Sequence, residues 1–168
     1  MLPLEPYYLA KYAHIIGVFL FLLAHGSATS IAFRLRNETN RDRIGALLDL
    51  SAASYRAFYV AFMLLLGSAI ALGVIASFWQ TTWFWVALVS FFVMAGVMTP
   101  LATMRYARLR VGLGLKLPPG GKPRPGMKTS LTDEEIRAII ASVNPWLLSA
   151  VGFGGVAVLA FLMMFKPF

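Results

Sequence analysis

The residues best suited to chemistry in this chain are its two histidines, His14 and His25, both of which lie in the first apolar segment. Eleven residues at 100° each make about three helical turns, so both imidazoles would project from one helix face, about 16 Å apart along the axis. An ionisable side chain at membrane depth is costly and marks a candidate functional site. Because imidazole is a good axial ligand for iron, we predict that His14 and His25 bind haem b at two depths.

Residues near the histidines could shape a slot for a flat porphyrin. Gly17 and Ala28 are small, Phe21 is aromatic, and all three lie on or beside the face that carries the histidines. Arg56, near the start of the second apolar segment, could pair with a haem propionate or with a quinone oxygen. Two alternatives stay open, because small residues also pack membrane helices without a cofactor and an arginine at this depth commonly extends to the lipid headgroups.

Three alternatives are open for the sixth coordination position of the iron, because the sequence contains no third histidine. A parallel two-fold homodimer would bring His14 of both protomers to one depth and His25 of both to another, and would hold two haems on its axis. Alternatively, methionine supplies the ligand. The methionines on the second and third apolar segments are Met63, Met94, Met98 and Met104. In the third solution the iron is five-coordinate and keeps an open position for a small ligand or substrate.

Composition assigns the chain to the membrane. Hydrophobic residues make up 59% of its 168 residues and charged residues only 13%, whereas charged residues make up about 25% of a soluble domain. Four apolar stretches are long enough to cross a bilayer, which takes about 20 residues. We predict one all-α integral membrane domain over residues 1–168, a four-transmembrane-helix bundle with spans near residues 8–33, 53–78, 82–104 and 145–165.

A short amphipathic helix is predicted ahead of the fourth span. Thr132 and Glu135 form a capping-box pattern, and acidic residues occupy the first turn. Apolar residues at 136, 139, 140 and 143 give this segment one apolar face. We therefore predict an interfacial helix over residues 132–143, with a break at Asn144-Pro145. A continuous extension of the fourth span into the cytoplasm is the alternative.

The distribution of charge predicts the orientation. All but two of the 15 lysines and arginines lie in or beside the first and third loops, the exceptions being Lys11 and Lys166. The positive-inside rule makes those loops cytoplasmic and both termini external. Loop charge thus accounts for the net charge of +8 without a nucleic-acid partner. The absence of cysteine excludes iron–sulfur clusters and thiolate metal sites, and no span contains the carboxylate that ion-coupled transporters usually need.

The first apolar segment resembles a group of bacterial four-helix membrane families. The resemblance rests on the run KYAHIIGV at residues 11–18, followed by small residues and by an arginine-ended helix at Arg34-Leu35-Arg36. The group includes copper-resistance D-type proteins, membrane protoporphyrinogen oxidases that bind haem b, and an uncharacterised predicted integral-membrane family, which is the closest in size. The resemblance implies that His14 is a haem ligand, and it implies a bacterial cytoplasmic membrane.

These observations predict a membrane b-type haem protein, a homodimer that transfers electrons to or from a quinone or a redox partner. Two alternatives remain at this point. One is a haem-dependent membrane oxidase of the protoporphyrinogen-oxidase type, and the other is a cofactor-free subunit or scaffold whose histidines serve only in packing.

Overall fold

The computed structural model describes residues 5–118 and 125–167, and over these residues all regular structure is helical. The α-helices, in chain order, are α1 (Pro6–Leu35), α2 (Arg41–Ile75), α3 (Thr82–Met98), α4 (Met104–Gly112), α5 (Asp133–Ser142) and α6 (Pro145–Phe165). A 3-10 turn at Phe78–Gln80 precedes α3, and a π-helical turn at Thr99–Thr103 joins α3 to α4. Four helical segments are long and apolar enough to cross a membrane, which confirms the predicted all-α four-helix bundle.

The second helix begins twelve residues before the predicted span. Asn40 caps it, since the Asn40 side chain accepts hydrogen bonds from the backbone N–H groups of Asp42 and Arg43. The first turns of α2 are helical but carry charged residues, so they lie outside its apolar stretch. Hydropathy detects only that stretch, so it places the start near residue 53 instead of at Arg41.

The third span continues to Gly112, past the predicted end at residue 104. Pro100 has no N–H to donate, and the helix accommodates it with the π-helical turn rather than by ending there. The hydroxyl of Thr99 donates to the carbonyl of Ala95 at 3.2 Å within this region. Pro100 therefore lies in a local change of helix type and does not end the span.

The predicted amphipathic helix forms as α5, separate from α6. Thr132 and Glu135 make both bonds of a capping box, and Ile136 and Ile140 are buried on the apolar face. Val143 is extended and Asn144 caps α6, so the chain breaks between the two helices. A continuous extension of the fourth span is therefore wrong.

The four long segments alternate in direction. We call the end that carries the arginine-rich loops the basic end, and the opposite end, where α1 begins and α6 finishes, the terminal end. Helix α1 packs against α2 and α6, and α3 packs against α6. A compact core fills the basic end, where α4 and α5 add buried residues such as Leu109 and Ile136. Between α2 and α3, phenylalanine rings make contact, with Phe62 stacked on Phe91 at 4.7 Å.

Candidate functional site

Nδ1 of His14 is hydrogen-bonded to α2, which leaves Nε2 as the nitrogen that could bind a metal. Its Nδ1 lies 2.9 Å from the hydroxyl of Ser68 on α2. That hydroxyl also lies 2.6 Å from the carbonyl of Leu64, to which it donates its single hydrogen. Ser68 can then only accept from His14, so the proton of the neutral imidazole is assigned to Nδ1. The lone pair is therefore on Nε2, the arrangement found when a histidine binds a metal through Nε2.

His14 lines an apolar cavity of about 440 Å³ in the half of the bundle nearer the terminal end. Helices α1, α2, α3 and α6 all contribute to its wall. Its volume lies in the range of small-molecule and cofactor sites, roughly 300–1,000 Å³, and such sites combine apolar walls with a few polar groups. Besides His14, the wall includes Tyr7, Lys11, Val18, Phe21, Leu65, Phe78, Trp83, Phe84, Phe91, Met94, Leu159, Met163 and Lys166.

Two lysines that the sequence analysis did not assign to the site line the same cavity. Lys11 precedes His14 by three residues and lies on the same face of α1, about 4.5 Å nearer the terminal end. Lys166 follows α6 directly, and its Nζ lies 5.0 Å from the ring centroid of Phe78 and 5.3 Å from that of Trp83. A signal for both was present in the sequence, because they are the two basic residues outside the basic loops.

His25 occupies a different environment from His14. It is 2% exposed, and its ring packs edge-on against Phe153 of α6 with centroids 4.8 Å apart. A Cβ added at Gly152 would overlap Nε2 of His25, so the imidazole lies directly against the backbone of α6. The hydroxyl of Thr29 lies 3.4 Å from the same Nε2. His25 is not among the residues that line the cavity.

The remaining predicted site residues divide between the cavity and the packing interfaces. Phe21 is buried and lines the cavity. Gly17 is buried between α1 and α2, where a Cβ would come within 3.0 Å of Leu65 Cγ, so its small size serves helix packing. Ala28 is half-buried and Arg56 is exposed, and neither belongs to the cavity wall.

Of the four methionines considered as sixth ligands, Met94 lines the cavity and the other three do not. Met94 is buried and reaches across to α6, where a Cβ at Gly155 would overlap its sulfur. Met63 is 43% exposed on the surface of α2. Met163 of α6 lines the cavity too, although the sequence analysis did not consider it.

Within residues 5–118 and 125–167 no group of three or more His, Asp or Glu side chains could hold a bare metal ion. A haem iron does not need such a group, because the porphyrin supplies four of its ligands and the protein only one or two. Comparisons of this chain with family models, with curated proteins and with solved structures find no match. The chemistry of the cavity is therefore the basis for a functional proposal.

Proposed function

We propose that this protein is a membrane b-type haem protein with His14 as an axial ligand of the iron. The observation that carries the proposal is the position of His14, whose Nδ1 is hydrogen-bonded to Ser68 and whose side chain lies in the wall of an apolar cavity. A membrane helix bundle rarely contains an ionisable side chain without a functional reason. Here the side chain, its hydrogen-bond partner and the cavity occur together, which supports a ligand role over a packing role.

The chain's own residues fit a haem in this cavity. His14 would bind the iron through Nε2, and Met94, which lines the same cavity, would be a second protein ligand if its sulfur left its contact with Gly155 of α6. Aromatic and aliphatic side chains from all four spans would exclude water from the porphyrin faces. When bound, the haem would supply a one-electron redox couple, whose potential a histidine and methionine ligand pair raises.

The proposed role of the haem is electron transfer to or from a quinone or a redox partner. His14 lies about 12 Å along α1 from the start of that helix, which favours exchange at the terminal end of the bundle. The positive-inside rule makes that end external, so we propose a multi-pass protein of the bacterial cytoplasmic membrane with both termini outside.

The proposed stoichiometry is one haem per chain. The His14 side chain is engaged with α2 of its own chain and lines a cavity within one bundle. The packing of His25 against α6 favours a structural role for that residue. In a homodimer with two shared haems, as inferred from the histidine spacing, His14 would have to point out of the cavity of its own bundle and His25 would have to leave α6, so we propose binding within a single protomer.

The proposal is tested by the haem content of two matched histidine variants. Each is expressed with adequate haem supply, purified as a monodisperse species, and assayed for haem per chain by the pyridine haemochrome method. We expect about one haem per chain in the native protein, a loss of most of it in His14→Ala, and retention in His25→Ala. Full haem content in a folded His14→Ala variant would show that the axial ligand lies elsewhere.

A further inference from the structure

We propose that Lys11 and Lys166 bind the two carboxylates of a porphyrin and orient it with its acidic edge toward the terminal end. The inference rests on the proposed function, since it concerns the same cavity, but it does not depend on iron. The observation behind it is that the two basic residues outside the basic loops both line this one cavity.

The positive-inside rule does not explain the positions of Lys11 and Lys166 at the terminal end. Basic residues on the external side of a membrane protein oppose the positive-inside rule, so two of them converging on one cavity call for another role. The ion pairs of the described residues all lie at the basic end, and neither lysine takes part in them. One acidic residue, Glu5, precedes α1 at the terminal end, whereas the other acidic residues of the chain belong to the basic end.

The arrangement matches the chemistry of a porphyrin dicarboxylate. Such a molecule has a wide apolar body and two carboxylates at one edge. The cavity has apolar walls, and two lysines line it toward the terminal end, one on α1 and one directly after α6. The rings of Phe78 and Trp83 hold the Lys166 ammonium at the cavity by cation–π contact, so its charge is already placed before a ligand enters.

His14 and Lys11 set the spacing between the two kinds of contact. They lie three residues apart on one face of α1, so an imidazole at the porphyrin centre and an ammonium at its edge come from adjacent turns. A porphyrin bound in the opposite orientation would direct its carboxylates to the apolar part of the bundle around Phe21 and Phe91, where burial of charge is costly.

The test compares metal-free protoporphyrin IX with its dimethyl ester, using porphyrin fluorescence on protein in phosphatidylcholine nanodiscs. We expect the native protein to bind the diacid about tenfold or more tightly than the ester, because each charge-assisted hydrogen bond is lost on esterification. The double variant Lys11→Gln/Lys166→Gln should bind both ligands equally. Lys116→Gln, a matched change at the basic end, should keep the native preference.

Equal binding of diacid and ester by the native protein, or an unchanged preference in the double variant, would overturn the inference. Displacement of the diacid on adding phosphatidylglycerol to the nanodiscs would also overturn it, by identifying a phospholipid as the occupant. The iron-dependent step is examined separately, through the haem content of the native protein and of His14→Ala described above. A lysine-dependent preference without any His14-dependent haem spectrum would leave this inference standing and contradict the proposed function.

Discussion

At the scale of single residues, the proposed binding of iron depends on which nitrogen of His14 carries the proton. The Ser68 hydroxyl donates to the carbonyl of Leu64 in its own helix, a common use of serine in membrane helices. Because the hydroxyl has one hydrogen, this intrahelical bond converts Ser68 into an acceptor for Nδ1. Ser68 of α2 thereby favours the tautomer of His14 in which the lone pair is on Nε2.

Replacing Ser68 with alanine should weaken haem binding without removing the ligand. Loss of an outer partner of a metal-binding histidine typically costs about 10–100-fold in affinity, and we expect a change of that size in a haemin titration of Ser68→Ala. Ser54→Ala is the matched control. Ser54 also donates to the carbonyl four residues earlier on α2 and contacts α1 through Ser27, but Ser27, unlike His14, does not line the cavity. A similar loss in both variants would indicate a general packing effect.

The sequence was sufficient to predict His14 but not its partners. A histidine in an apolar run is visible in the sequence, whereas Ser68 lies 54 residues away and meets it only after α1 and α2 have packed in a particular register. The contacts of His25 could not be predicted either, because they also depend on how the helices pack. Spacing places both histidines on one helix face, but it does not reveal that α6 brings a glycine against the second imidazole.

At the scale of helices, the contact between α1 and α6 is set by Gly152. The missing Cβ lets the backbone of α6 approach the His25 ring, and Phe153 closes the edge of that contact. His25 therefore holds two spans together in the middle of the bundle, beside the cavity that contains His14.

Gly152→Ala should destabilise the protein, because the added methyl group must displace a buried imidazole. Overpacking of this kind costs about 1–3 kcal/mol, to be measured as a lower free energy of unfolding or a lower melting temperature in detergent. Gly154→Ala is the control, since a Cβ there meets no atom within 4 Å and should change stability by no more than about 0.5 kcal/mol.

A double variant with His25→Ala distinguishes this contact from other effects of the Gly152 substitution. If the clash with the imidazole is the cause, Gly152→Ala should cost much less in the His25→Ala background than in the native one. Additive effects of the two substitutions would mean that the methyl group disturbs something other than His25.

The number of membrane spans was predictable, while the helix ends were not. Apolar length alone predicts four spans, and the capping box predicts α5. The ends depend on side chains that hydropathy does not weigh, as the Asn40 cap of α2 shows. They also depend on whether a helix tolerates a proline, as the third span does at Pro100.

At the scale of the whole molecule, the two halves of the bundle are built differently. The basic end is filled by a core to which α4 and α5 contribute, and the bond between Arg110 and Asp49, 2.8 Å long, joins α4 to α2 there. The half toward the terminal end has the four spans alone, and the cavity lies between them. The basic end has a second, more polar cavity of about 690 Å³, lined by residues such as Arg41 and Asp49, whereas the cavity that His14 lines is apolar.

The proposed orientation can be tested cleanly because the chain has no cysteine. Gln80 and Ser130 are both exposed, at the terminal and basic ends respectively. With single cysteines introduced at these positions, an impermeant thiol reagent added to intact cells should label Gln80→Cys, and should label Ser130→Cys only after lysis. Labelling of Ser130→Cys in intact cells would reverse the orientation and place the cavity at the cytoplasmic side.

The most direct test of the central claim is the visible spectrum of the purified native protein, oxidised and then reduced with dithionite. With haem supply adequate during expression, we expect an intense Soret band and, on reduction, the sharp α band of a b-type haem. A colourless protein obtained under the same conditions would contradict the claim that this cavity binds haem.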